Sequence, residues 1–250
     1  MTLFNSLRVR LSQGKQFIPD VRAARPTGFR GLPRIAAGPC AVGCDACVTS
    51  CPTGAIGTAP LSIDLGRCIL CAECVTACPD AKLELLPEPR MASSSRDGLV
   101  VTAGAEAGTT IRANQAFAAI FKRSLKLRQV SAGGCNACEL ELAATANVNF
   151  DLQRYGIEWV ASPRHADALV LSGTLTRTMK DAVRLAWDAM PEPRFVIAVG
   201  ACAISGGLYD GARGVERSFF DDATPALYVP GCPPHPLTFV NAILDYLGVP

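Results

Sequence analysis

The sequence predicts an α/β protein, in which a mainly parallel sheet flanked by helices follows a small cysteine-rich unit. Three observations predict it. Past residue 150, short apolar runs alternate with amphipathic stretches, the pattern of strands joined by helical crossovers. Before residue 90, one cysteine-rich segment occurs twice. The composition of the 250 residues is 49% hydrophobic, 6% aromatic and 18% charged, with glycine and alanine plentiful; this suits one large or two modest packed domains and excludes a disordered chain.

Residues 1–34 read as a basic arm. Arg8, Arg10, Lys15, Arg22, Arg25, Arg30 and Arg34 stand against Asp20 alone, so the arm carries +6 of a total of +2 and the remainder carries −4. Leu3, Phe4, Leu7 and Leu11 fall at helical spacing beside these bases. Such a helix suits either an anionic membrane surface or an acidic neighbouring subunit. No stretch reaches the roughly 18 to 20 apolar residues of a membrane-spanning helix. The opening "MTLFNSLRVRLSQGKQ" lacks the apolar core and cleavage site of a secretory signal, so a cytoplasmic location is expected. Thiols stay reduced there, and the twelve cysteines therefore point to metal ligation rather than disulfides.

Residues 35–86 hold the repeat. "CDACVTSCP" at 44–52 and "CAECVTACP" at 71–79 agree at six of nine positions. Cys40 and Cys68 lie upstream of them, so the first copy is C-x3-C-x2-C-x3-C-P and the second C-x2-C-x2-C-x3-C-P. The second copy has the bacterial ferredoxin spacing, in which three thiolates on a tight loop grip one [4Fe-4S] cluster and the fourth, before proline, reaches the other. The expected sets are Cys40, Cys44, Cys47 and Cys78 for one cluster, and Cys51, Cys68, Cys71 and Cys74 for the second. Zinc accepts four thiolates but does not require a three-cysteine loop with a distant fourth, repeated. The radical-SAM loop resembles Cys40, Cys44 and Cys47 alone, but leaves Cys51-Pro52 and the mirrored copy without a purpose. The extra residue after Cys40 departs from the ferredoxin pattern.

Residues 87–116, rich in Pro, Ser, Gly and Ala, read as a linker. In "AFAAIFKRSLKLRQV", Phe117, Ile120, Phe121 and Leu125 have helical spacing, and five bases (Arg112, Lys122, Arg123, Lys126, Arg128) with no acid lie between Ile111 and Cys138, predicting a basic helix face. Beyond it "GIEWVAS", "ADALVLSG", "RFVIAVG" and "ALYVPG" read as buried strands, and "TMKDAVRLAWDAM" and "LTFVNAILDYLG" as helices. In parallel α/β sheets, sites form at the carboxyl ends of strands. Cys202 and Cys232 each follow a predicted strand, and Cys135 and Cys138 occupy a glycine-rich turn leading into a helix. These four converge on one sheet edge and suit a third [4Fe-4S] cluster. A thioredoxin-like role for Cys135 and Cys138 would strand Cys202 and Cys232.

With "AGGCNACELEL", "FDLQRYGIEWVASPRHADALVLSG", "GACAISGG" and "VPGCPPHP" in place, residues 117–250 resemble the cluster-bearing small-subunit family shared by respiratory complex I and the membrane-associated, group 4 [NiFe] hydrogenases. "FRGLPR" upstream of the repeat resembles the entry to their ferredoxin-type subunits. The resemblance implies a flavodoxin-like core preceded by a fused bacterial-ferredoxin-like α+β domain with two [4Fe-4S] clusters. It also implies three [4Fe-4S] clusters relaying electrons to or from a catalytic large subunit, with other iron-sulfur and membrane subunits as partners and a peripheral place on the cytoplasmic face of the membrane. The protein is thus expected to be an electron-transfer subunit of an oxidoreductase with no bond chemistry of its own. Two residues separate Cys135 from Cys138, as in hydrogenase small subunits, whereas the complex I members have adjacent cysteines; the lean is to hydrogenase. A quinone-reducing complex I relative and a free-standing polyferredoxin are the other functions open to the sequence.

Glu141 matches an acidic position of that family for which a proton-relay role is implied; for Glu141 or Glu139, a first-turn acid interacting with the helix dipole is the alternative. His165 and His235 read as structural or interface residues and Trp159 and Trp187 as core. Gly206 and Gly207 make a turn near Cys202. There is no G-x-G-x-x-G and no lysine-bearing phosphate loop, so neither flavin nor NAD is expected here, and nucleic acid is not an expected partner.

Overall fold

The computed structural model describes residues 3–14, 16–104, 111–121 and 124–249. Lys15, Lys122 and Arg123 of the basic stretches and residues 105–110 of the expected linker lie outside the described residues. The chain opens with α1 (Leu3–Gln13), none of whose residues is buried. A small unit follows: β1 (Pro33–Ile35), α2 (Ala46–Thr49), β2 (Ile56–Thr58), β3 (Leu61–Asp64), α3 (Glu73–Ala77), β4 (Leu83–Leu85) and β5 (Val100–Thr102).

The sequence repeat becomes structural symmetry in this unit. Each copy is strand, helix, strand; the outer strands pair antiparallel, Ile35 opposite Leu83, and the inner ones form a second antiparallel pair, Ile56 opposite Ile63. Ile35, Ile56, Ile63 and Leu83 make its core, and Cys47, Cys51, Cys68, Cys74 and Cys78 pack into it. With elements this short, so little apolar area is available that the core depends on the cysteines being covered.

The rest of the chain contains α4 (Gln115–Phe121), β6 (Leu125–Ser131), α5 (Ala137–Ala144), β7 (Ile157–Trp159), β8 (Ala168–Ser172), α6 (Lys180–Asp188), β9 (Phe195–Val199), α7 (Gly200–Ser205), α8 (Phe219–Asp222), β10 (Leu227–Val229) and α9 (Pro236–Tyr246). Its five strands are all parallel, in the order β7-β6-β8-β9-β10. Counted within this domain that order is 2-1-3-4-5, the flavodoxin-like one. β8, β9 and β10 are buried at every position, because helices or other layers cover both faces of the sheet. On one face Val170, Ile197 and Val229 meet α9, nearly all of it buried; on the other Leu171 and Val196 meet Val183 of α6. The cysteine-rich unit completes the second face beside α6: Ala198, Tyr228 and Ile204 share one apolar cluster with Leu65, Leu70 and Leu99.

Three sequence expectations are corrected. The basic arm of residues 1–34 is free only near its start: Val21 is buried, the Ile18 amide donates to the Asn149 carbonyl, and Arg22 pairs with Asp245 of α9. The linker of residues 87–116 is largely packed. Met91, Ala92, Ser93 and Leu99 are buried, β5 adds to β3, and Ser93 exchanges both backbone hydrogen bonds with Tyr228, covering the outer edge of β10. Small residues let that backbone lie close against a sheet edge that would otherwise be unpaired. Finally, the basic helix expected over residues 116–130 is helical only as far as Phe121, and Leu125–Ser131 is β6, the strand between β7 and β8. There Leu125 and Leu127 point into the core while Lys126 and Arg128 alternate with them, a period of two hidden by the chance helical spacing of Phe117, Phe121 and Leu125.

Candidate metal centres

The twelve cysteines fall into three groups of four around three cavities. Cys40, Cys44, Cys47 and Cys78 line the first with Thr58, Leu61 and Leu83. Cys51, Cys68, Cys71 and Cys74 line the second with Ile56, Ile63 and Leu70. Cys135, Cys138, Cys202 and Cys232 line the third with Gly134, Gly173 and Gly231. Cys68 packs into both the apolar cluster of the small unit and the one that contains Ala203 and Ile204 of α7. The second group therefore lies between the first group and the helix carrying Cys202.

The two repeats treat their fourth cysteine alike. Cys51 and Cys78, each followed by proline, each accept a backbone N–H from four residues on, Ala55 and Lys82, both at 3.3 Å. The Cys68 sulfur accepts the Leu70 N–H at 3.4 Å. Such N–H···S bonds favour negative charge on sulfur. The first repeat departs at its inserted residue: Cys40 is exposed and Val42 projects fully, whereas the equivalent Cys68 is largely covered. Lys82 closes the neck of that loop through its ammonium, which donates to the carbonyls of Gly38 and Pro39. Arg30 ties the second group to the preceding segment by donating to the Cys71 carbonyl at 2.9 Å.

The third group stands where the parallel sheet predicts. The loop after β6 brings Cys135 and Cys138, α7 directly after β9 brings Cys202, and the turn after β10 brings Cys232. Asn136 and Ala72, each just after the first cysteine of a C-x-x-C, both adopt left-handed backbone at φ 71° and start a helix. The loops lock together through backbone. The Ala201 amide donates to the Gly231 carbonyl at 2.9 Å, and a Cβ on Gly173 would fall 2.5 Å from the Gly134 nitrogen. Gly200, at φ +86°, faces the site so closely that a Cβ there would lie 2.7 Å from the Cys138 sulfur.

Two residues outside the expected set hold this site. Arg217 donates to the carbonyls of Cys202 (3.2 Å), Ala203 (2.8 Å) and Ile204 (2.8 Å), capping the short helix α7. Glu139 accepts a hydrogen bond from the Ser172 hydroxyl at 2.8 Å. Burial opposes its ionisation, but hydrogen bonds from Ser131, Ser172 and its own backbone amide prevail and hold the carboxyl below the usual range. No local sequence signal marks Arg217, whose partners lie thirteen to fifteen residues back. Glu141 sits half-buried on α5 with its pKa raised by burial. His235 accepts the Leu237 N–H through Nδ1 at 3.1 Å, capping α9, and packs against Phe29 and Phe150. Trp159 stacks on Phe239 and Trp187 packs on Phe219, both in core positions.

Each set offers four thiols, the donor type that soft metal ions prefer, although among the described residues the side chains are not drawn together into a metal-holding group. Sulfur is the only ligand type common to all three, the surroundings are apolar, and close-packed glycines leave room at the third site. Burial, ahead of any other cause, pushes the Cys68 and Cys138 thiols up to about 12 and Cys202 up to about 11; neighbouring cysteines add to the shift, and at Cys138 so does Glu139. Cys138 lies in the first turn of α5, whose partial positive end favours its thiolate, but burial is the larger effect here. These three cysteines are neutral thiols at ordinary pH, and a metal bound by them would expel their protons. A folded pKa raised above the ordinary 9.0 contributes stability that is complete below about pH 9 and lost as pH climbs toward 12. The urea midpoint of the metal-free chain is therefore expected to fall steadily through that window; a midpoint that stays flat would show these thiols to be open to solvent.

A flavodoxin-like sheet with four thiols collected at the carboxyl ends of its strands, flanked by a second, internally repeated cysteine unit, defines an α/β protein with three groups of four cysteines. Residues 135–246 match the family described as NADH ubiquinone oxidoreductase, 20 Kd subunit, and the chain belongs to that family. It is 40% identical over 129 residues to formate hydrogenlyase subunit 7 of Escherichia coli, covering 52% of this chain and 51% of the relative. It is 43% identical over 112 residues to an NADH-quinone oxidoreductase subunit of Geotalea daltonii, covering 44% and 65%. An uncharacterized protein of Methanocaldococcus jannaschii is 37% identical over 126 residues, covering 49% and 82%. The chain thus spans about half of the first of these relatives and just under two thirds of the second.

Proposed function

We propose that this chain is the iron-sulfur electron-transfer subunit of a [NiFe]-hydrogenase-type complex of the formate hydrogenlyase kind, related to complex I and held peripherally at the cytoplasmic face of a membrane. The observation that carries this function is the succession of three four-cysteine groups, with Cys68 adjoining both the first unit and the helix of Cys202. The symmetric β-α-β halves support a ferredoxin-like domain for two [4Fe-4S] clusters, and the sheet edge supports a third. When bound, the clusters supply one-electron transfer between an iron-sulfur donor and a catalytic large subunit.

The chain's own residues set the conditions for that transfer. Ala55, Leu70 and Lys82 donate amides to sulfur, and Arg217 and the Gly134/Gly173 contact fix the loops of the third group. Cys135, exposed, marks the side of that group where a large subunit would dock, and the half-buried Glu141, three residues past Cys138 on α5, could pass a proton there. Two residues between Cys135 and Cys138 favour a hydrogenase partner; the similarity to the NADH-quinone oxidoreductase relative supports, as second choice, a quinone-reducing complex.

Purification of the native complex without oxygen tests this. About twelve irons per chain, copurification with a nickel-bearing large subunit and hydrogen-dependent dye reduction are expected. A nickel-free complex that reduces quinone would transfer the assignment to the second choice, and about eight irons would leave the third group unfilled.

A further inference from the structure

We propose that α1 is a membrane-docking element that lies flat on an anionic lipid surface; this deepens the peripheral placement given above. All eleven residues of the helix are exposed, and nothing in the described chain covers its apolar side. At 3.6 residues per turn, Leu3, Leu7, Leu11 and Phe4 fall in one sector roughly 100° wide; they are 74%, 49%, 84% and 81% exposed. Arg10 borders one side of that sector and Arg8 the other, while Asn5, Ser6, Ser12 and Gln13 occupy the far side with Val9.

Arginines flanking an apolar stripe are placed to extend along the interface, so their guanidinium groups reach phosphates while the stripe sinks among acyl chains. Two apolar side chains of the body, Phe17 and Val148, 41% and 59% exposed, line one open groove with Leu7, Leu11 and Val9 of the helix and its polar Ser6, Arg10 and Gln13. No acidic residue precedes Asp20, so an anionic surface meets no repulsion here. At about 1.5 Å per residue the helix is near 16 Å long, half the thickness of the hydrocarbon core, so it lies on a bilayer and does not cross it. Among the described residues no helix is long and apolar enough to cross a membrane. A partner protein would have to offer acidic rims on both sides of an apolar groove to match this helix; an anionic bilayer presents charge all around.

The test is flotation of the full-length, iron-loaded protein with vesicles of equal parts phosphatidylglycerol and phosphatidylcholine, and with phosphatidylcholine alone. Flotation is expected with the first, is lost in high salt, and is much weaker with the second. Arg8→Gln with Arg10→Gln should weaken partition roughly thirtyfold, and Leu7→Ser with Leu11→Ser should abolish it at any salt. All four side chains are exposed, so fold and iron content are expected to persist in both variants, and both are read in the same samples. Failure of the wild type to float, or equal flotation of the leucine variant, overturns the proposal and gives this face to an acidic subunit. Because iron content is measured independently, either result leaves the electron-transfer assignment to its own test.

Discussion

Gly200→Ala is expected to empty the third cysteine group while leaving the other two filled. The added methyl would stand 2.7 Å from the Cys138 sulfur, and φ at this position is +86°, where an L side chain is strained. The left-handed backbone costs about 1 to 2 kcal/mol and the overpacking about 1 to 3 kcal/mol. Neither cost can relax outward, because Ala201 is fixed to the Gly231 carbonyl and Pro234 lies on the other side. With the three groups filled as proposed, iron should fall from about twelve to about eight per chain, with loss of one reduced-state paramagnetic signal and of electron delivery to the proposed partner. Gly214→Ala is the control: it has open space and no left-handed backbone, and it should retain all the iron. Full iron in Gly200→Ala would mean that the Cys138 sulfur is not turned toward Gly200 in the loaded protein.

Asp245→Ala should lower stability by about 3 kcal/mol, or roughly 6 to 12 °C in melting temperature for a chain of this size. Asp245 is 13% exposed and receives two guanidinium groups from two different segments, Arg22 at 2.6 Å and Arg90 at 3.2 Å. Removing it leaves both cations half-buried beside α9 without their counter-charge, which costs more than the pair itself contributes. Arg22 keeps its hydrogen bonds to Asn241 and to the Val249 carbonyl, so the N-terminal segment should loosen less than the one after β4. Thermal unfolding monitored by circular dichroism measures the effect, and Asp245→Asn, which keeps the shape and loses the charge, should recover only part of it. A melting temperature equal to wild type would show that the two segments are held by their apolar residues, Val21 and Met91, alone.

The opposite consequences of these substitutions follow from how the site and its supports are encoded. The first two cysteine groups were readable because their spacing is local: three cysteines within a short loop, a proline after the fourth, and a second copy nearby; the third was readable because Cys202 and Cys232 each follow a strand of the parallel sheet. β7 is a three-residue edge strand with Glu158 exposed, whereas the strands β8, β9 and β10 were readable as apolar runs, since both faces of each are covered. β6 was not. A strand whose sides alternate Leu125, Lys126, Leu127 and Arg128 resembles part of a helix when it follows a true one after three residues.

The stretch between the two units misled for a related reason. Serine, proline and glycine mark a segment without its own periodic core, but they do not reveal whether something else covers it. Ser93 and Tyr228 are far apart in sequence, and their paired backbone bonds are invisible until the sheet edge exists. Arg217 beneath α7, Glu139 against Ser172, and the contact between Gly134 and Gly173 belong to the same class. Sequence alone determined which cysteines group together, the parallel character of the sheet and the edge at which four thiols collect. Tertiary structure alone decided how the small unit seats on β9 and β10, that Asp245 joins two segments, and that α1 is left bare. Ligand spacing and strand hydrophobicity are properties of neighbouring residues, whereas seating, capping and exposure depend on surfaces brought together only by folding.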